Sequence, residues 1–252
     1  MGKKNITLML SYLTVLTIVL AGYLFMVALP AEGYNPGDYK QGYLYFMAFQ
    51  FLLFSLLVPF WEIGALTGGS IKQSKALPQV GAAFKTLFYY LGGLLWQMVI
   101  LVFASVPLIF IIHIAGCLNI MNFLWPMAIQ VLWGMFILSA RIFLHTTNLP
   151  KMWQYYFLVC LIFAVVVLTL VFFYFYLAYG QLVVTTVFDG DIPGLFFLNP
   201  LLTVTGLLYM QIGGGNQVGW APVVYHLCFC CPVILIFCLL TLRNLKNAYR
   251  EV

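Results

Sequence analysis

The chain has 252 residues, of which 64% are hydrophobic and 7% charged, and its formal net charge is +5. A soluble domain carries about 25% charged residues, so this composition excludes a water-soluble globular domain and points to a polytopic membrane protein. The basic residues are dispersed, with no dense run or stripe, so the charge is no sign of nucleic-acid binding.

Lys3 and Lys4 precede an apolar run at 6–29, too long for a signal-peptide core and followed by no small-residue cleavage site, so it reads as an uncleaved first span. A polar connection with Glu32 and Asp38 leads to a second span at 42–66. The segment 62–85 is the most polar stretch between two long apolar runs. It holds Lys72, Lys75 and Lys85 against the single acid Glu62, and its glycines and Pro78 interrupt helical periodicity. It is expected to form an elbow along the inner membrane surface, with Ile71, Leu77, Val80 and Phe84 turned to the bilayer. Glu62 has two open readings: a partner for Lys72, Lys75 or an inner-loop cation, or an interfacial acid reaching water.

The third span is expected at 86–114, with a kink at Pro107, and the fourth at 120–140. Residues 141–154, with Arg141, His145 and Lys151, read as a second inner loop, and 155–179 as the fifth span. The connection 180–222 carries Asp189 and Asp191 around a turn at Asp189-Gly190. An apolar stretch broken at Asn199-Pro200 follows, too short to span and expected to be re-entrant or interfacial on the outer face. The sixth span is expected at 223–242, and Arg243, Lys246 and Arg250 follow it. With the N-terminus inside, every basic residue except Lys40 falls on the inner side, while Glu32, Asp38, Asp189 and Asp191 fall outside. That asymmetry supports six spans with both termini cytoplasmic.

Nucleotide motifs fail on spacing. Gly68-Gly69-Ser70-Ile71-Lys72 is not a phosphate loop, and Gly213-Gly214-Gly215 lacks the third glycine of a dinucleotide site. No catalytic residue, metal or cofactor is therefore expected. Cys228, Cys230 and Cys231 read as small hydrophobes in a helix, because no second ligand pair accompanies them. His113 and His226, each near the outer end of a span, could meet and hold haem or metal, but hydrogen-bonded packing is the default.

Several short stretches carry a family resemblance. Pro59 followed by Gly68-Gly69-Ser70-Ile71, then Lys85, Ser105-Val106-Pro107-Leu108, Gly116 and Asn199-Pro200, resemble ABC-2-type exporter permeases. The six-span topology resembles that family over nearly the whole chain. One departure is that Lys72-Gln73-Ser74-Lys75 stands where the family usually carries an acidic cluster.

The resemblance implies an all-α, single-domain permease over 1–252 in the plasma (inner) membrane of a prokaryote. Its partners would be a cytoplasmic ATP-binding-cassette ATPase, a second permease subunit and the lipid bilayer. It implies that Glu62, Ser70, Ile71, Lys72, Lys75 and Lys85 couple to the ATPase, with Asn199 and Pro200 in the outer re-entrant segment. The alternatives are a non-transporting subunit or assembly factor of a larger membrane complex, and a haem or membrane enzyme using His113 and His226.

Overall fold

The computed structural model describes residues 3–28, 35–61, 79–147, 149–179, 186–187, 192–193, 196–197, 199–214 and 218–250. The described elements are helical apart from a two-residue antiparallel ladder, β1 (Thr186–Val187) with β2 (Ile192–Pro193), in which Val187 pairs with Ile192. The ladder flanks the turn expected at Asp189-Gly190. Among the described residues six helices are long and apolar enough to cross a membrane: Lys3–Met26, Pro36–Phe60, Ala83–Ala115, Met121–Thr146, Lys151–Phe172 and Ala221–Asn247.

The helix ends differ from the sequence expectation in a consistent way: the helices run on into segments expected to be loops. Helix α1 is Lys3–Ala28. Helix α2 (Pro36–Leu57) starts six residues before the expected span. Asn35 caps it, its side chain accepting from Gly37 N–H at 3.0 Å, and Pro36 occupies the first turn, where its missing N–H costs nothing. Pro59 ends the α-helical ladder, and a 3-10 turn, Val58–Phe60, leads to Trp61 in extended conformation. Helix α3 (Gln79–Ala115) has 37 residues, about 55 Å of helix. It begins inside the stretch expected to be the elbow, so Lys85 is an exposed residue of α3 rather than the end of a loop.

Helix α4 (Met121–Thr146) continues past Ala140 and takes in Arg141 and His145, and α5 (Lys151–Tyr179) begins at Lys151. The expected inner loop at 141–154 therefore shrinks to 147–150. A short interior helix, α6 (Pro200–Gly214), precedes α7 (Ala221–Arg250), which carries Arg243, Lys246 and Arg250 on its last turns. The turn after α3 places Cys117 at φ 50, the left-handed conformation that ends many helices, and Gly116 N–H bonds Ile112 O at 2.9 Å.

Helices α2 and α4 form the centre of the bundle, and α1, α5 and α7 lie around it with most of their surface outward. The core joins Tyr43, Phe51 and Phe54 of α2, Met98 and Leu101 of α3, and Trp125 and Ile137 of α4. Outward positions are large and apolar as well: Phe88, Phe103, Phe163, Leu168, Leu235 and Leu239 are all exposed. With no water to repel it, apolar surface faces lipid at no cost, so close packing and hydrogen bonds hold such a bundle together.

Gly134 shows how close the central packing is. A Cβ there would stand 2.9 Å from the ring of Phe54, itself fully buried, and 3.5 Å from the Met98 sulfur. Gly134→Ala should therefore cost about 1–3 kcal/mol, as overpacking does. Gly22→Ala, where a Cβ meets nothing within 4 Å, should be neutral. Unfolding midpoints in detergent test this, and equal effects at the two sites would refute the close α2–α4 approach.

Candidate functional site

Three groups of polar side chains stand out, at the end of the bundle where α1 begins, at mid-bundle and beside α6. At the first of these, Trp61 follows α2 and is fully buried. Its Nε1–H donates to Gln97 Oε1 of α3 at 2.8 Å, and the same oxygen accepts from Asn5 Nδ2 of α1 at 3.0 Å. The Trp61 carbonyl accepts from Arg141 Nη1 of α4. Arg141 Nη2 reaches the Tyr155 hydroxyl of α5 at 3.3 Å, its guanidinium lies over the Tyr155 ring at 5.5 Å, and Phe60 stacks on that ring. One clamp thus ties five spans at the last described residue before the elbow. Arg141 sits inside a helix, against the loop expectation, because these acceptors and the ring face replace water around its charge.

Helix α3 passes through this clamp and beyond it. Gln97 lies eighteen residues after Gln79, so about 27 Å of continuous helix separates the clamp from the start of α3. Ala83 and Leu87 of this leading part are buried, while Phe84, Phe88 and Tyr89 are exposed.

At mid-bundle four helices contribute Tyr12 (α1), Gln50 (α2), Ser105 (α3) and Gln130 (α4), each at most 1% exposed. The Gln50 carboxamide nitrogen lies 2.7 Å from the Tyr12 hydroxyl, 2.9 Å from Gln130 Oε1 and 3.4 Å from Ser105 Oγ. Ser105 Oγ donates to Val102 O at 2.7 Å. Gln50 Oε1 and Gln130 Nε2 remain without a protein partner. An unmatched amide group in a dry interior costs about 1–3 kcal/mol. This junction therefore holds two unmatched amide atoms, which a change in helix packing could relieve.

Beside α6, Asn199 does two jobs. Its Oδ1 caps the helix by accepting from Leu202 N–H at 3.1 Å, and its Nδ2 donates to Val165 O at 2.9 Å and Thr169 Oγ1 at 2.8 Å on α5. Pro200 takes the first helical position. Residues 200–208 are all buried against the other helices. At 15 residues, about 22 Å, α6 is too short to cross a core about 30 Å thick.

His226 of α7 lies 2.8 Å from Thr203 Oγ1 of α6. His113 lies 3.0 Å from Asn119 O, within a ring cluster of Tyr43, Phe110 and Phe123. The two histidines share no hydrogen bond or ring contact, so the structure does not bring them together as a ligand pair. Cys228 and Cys231 are exposed and Cys230 is buried, and no group of three or more metal-binding side chains occurs among the described residues.

Of the residues singled out in the sequence, Glu62, Ser70, Ile71, Lys72 and Lys75 lie outside the described residues. Lys85 is on α3, and Asn199 and Pro200 open α6. Sequence reading passed over the junction and the clamp. The available signal was a lone glutamine inside each of three apolar runs, Gln50, Gln97 and Gln130, since polar groups at membrane depth are rare unless they have work to do.

The sequence matches no family model, no curated protein and no solved structure. The class rests on the fold: a helical bundle with six helices long and apolar enough to cross a membrane, drawn together by polar contacts at three levels.

Proposed function

We propose that this chain is the membrane-embedded permease subunit of an exporter whose ATPase is a separate chain. The observation that carries the reading is α3. One uninterrupted helix begins within the basic elbow, passes the Asn5–Trp61–Gln97 contact and ends at the opposite face. A helix is stiff along its axis, so force applied at the elbow reaches the bundle without a flexible joint until Pro107. Trp61, at the other end of the elbow, is held by Arg141. Both ends of the elbow are thus fastened to the spans, as a coupling element requires. Lys72 and Lys75 provide its charge, and with Glu62, Ser70, Ile71 and Lys85 they form the docking region.

The same contacts support an orientation. The starts of α1 and α5 and the ends of α2 and α4 meet in the clamp, and Asn244 near the end of α7 bonds Thr146 of α4 at 3.2 Å. The described basic residues other than Lys40 lie at that end, which supports a cytoplasmic position for it and for both termini. The ATPase would grip there, a second permease copy or relative would complete the pathway, and α6 would form the re-entrant segment of the outer half. The membrane would be the plasma (inner) membrane of a prokaryote.

The closed interior favours one other reading. Tyr12, Gln50, Ser105 and Gln130 face one another rather than a path, as they would in a non-transporting subunit or assembly factor. Purification from native membranes in mild detergent, with identification of what co-purifies, separates the two. A stoichiometric ATPase is expected, and Lys72→Glu with Lys75→Glu should reduce its retention at least several-fold. Retention unchanged by the double substitution would remove the elbow as the grip. Other membrane subunits in place of an ATPase would establish the second reading.

A further inference from the structure

The short connection between α4 and α5 gathers cations beside exposed aromatic rings. Arg141 and His145 lie on the last turns of α4, and Lys151 opens α5. Arg141 Nη2 reaches the Tyr155 hydroxyl at 3.3 Å, His145 stands one turn after Arg141 on α4 and Lys151 one turn before Tyr155 on α5, so the three groups share one neighbourhood. His145 and Lys151 are exposed. The connection holding them is well tied: Thr147 N–H bonds Leu144 O at 3.2 Å, Gln154 Nε2 bonds Leu149 O at 2.9 Å, and Trp153 N–H bonds Pro150 O at 3.0 Å. Immediately past Lys151, Met152, Trp153, Tyr156 and Phe157 are all more than half exposed, with Trp153 and Tyr156 packed edge to face at 5.6 Å.

Charge complementarity decides what this surface fits. The one carboxylate among the described residues is Asp38, at the opposite end of α2. Counting Glu62, which follows Trp61 in the chain, still leaves the cluster net cationic. An amphipathic ring pair at the end of a span sits at headgroup level, and cationic groups there face the anionic lipids of the inner leaflet. We propose that Arg141, His145 and Lys151 form a binding site for the phosphodiester headgroup of an anionic phospholipid, at the head of the exposed apolar surface of α5. Lys151 and His145 supply mobile donors to the phosphate. Arg141, committed through Nη1 and Nη2 to Trp61 and Tyr155, supplies fixed positive charge. Bound lipid would then bear on the same arginine that holds the elbow, which rests on the clamp geometry and not on the transport reading.

The test is thermal unfolding of the full-length chain in neutral detergent with added phosphatidylglycerol, or phosphatidylcholine of the same acyl chains, or inorganic phosphate. Phosphatidylglycerol alone should raise the midpoint, by several degrees, and 1 M salt should abolish the rise, since screening shortens to about 3 Å there. His145→Gln with Lys151→Gln, both exposed and away from the core, should reduce the rise by half or more. Arg243→Gln with Lys246→Gln, which removes two formal charges elsewhere at the same end where the first pair removes one, should leave it intact. The proposal is overturned if phosphatidylcholine or inorganic phosphate does as well. It is equally overturned if the two variant pairs lose the effect alike, which would reduce it to general surface charge.

Discussion

Gln50→Leu is expected to lower stability by about 1–3 kcal/mol, although leucine is the better residue for an apolar span by composition. The substitution leaves the buried Tyr12 hydroxyl and Gln130 amide facing apolar surface. Interhelical hydrogen bonds in membranes average only about 0.6 kcal/mol in double-mutant cycles, so most of the cost comes from the orphaned partners rather than from the lost bonds. The sign of the double variant follows. Gln50→Leu with Gln130→Leu removes two of the four groups together and should recover part of the loss, giving a coupling energy of about 0.5–3 kcal/mol. Adding Tyr12→Phe should recover more. Unfolding in detergent measures these three and Gln130→Leu alone, and strict additivity of the two glutamine substitutions would show that they do not form one junction. If the chain works by rearranging its helices, the stabilised triple variant should also be the less active, because Gln50 Oε1 and Gln130 Nε2 would no longer favour a second packing.

Arg141→Met should have the second large effect. Methionine keeps much of the apolar stem but removes the charge-assisted bond to the Trp61 carbonyl and the stack on Tyr155. Hydrogen bonds to charged groups contribute about 1.5–3 kcal/mol, and that is the expected loss. Arg141→Lys should recover little of it, because one ammonium cannot reach the carbonyl and lie flat over the ring together. On the transport reading, Arg141→Met should leave the ATPase associated but weaken the coupling of its hydrolysis to transport, since the elbow remains and its anchor is gone. A stable variant with full coupling would show that Trp61 needs no anchor on α4.

What was legible in the sequence is what composition and one-dimensional spacing control. Apolar runs of about 20 residues need a hydrocarbon environment, and the placement of Lys and Arg outside those runs follows from the cost of burying charge, so the six long helices were readable directly. Asn199-Pro200 was readable as a boundary because proline suits a helix start and asparagine its cap. Helix ends were less so. Charged and polar residues at 36–41, 79–85 and 141–146 suggested loops, yet a helix continues wherever its polar side chains find partners, as Arg141 does on Trp61 and Tyr155. Only the tertiary structure decided those partners. Gln50 and Gln130 are 80 residues apart, and Asn5 and Gln97 are 92; no local pattern encodes which glutamine meets which tyrosine. Burial of α6 was also decided there, because a short apolar helix reads the same against lipid as against α2. The sequence by itself determined that the chain carries six helices long and apolar enough to cross a membrane. The packing of helices decided which few polar groups meet inside, because in an apolar interior an unpaired hydrogen-bonding group is costly enough to choose its neighbour.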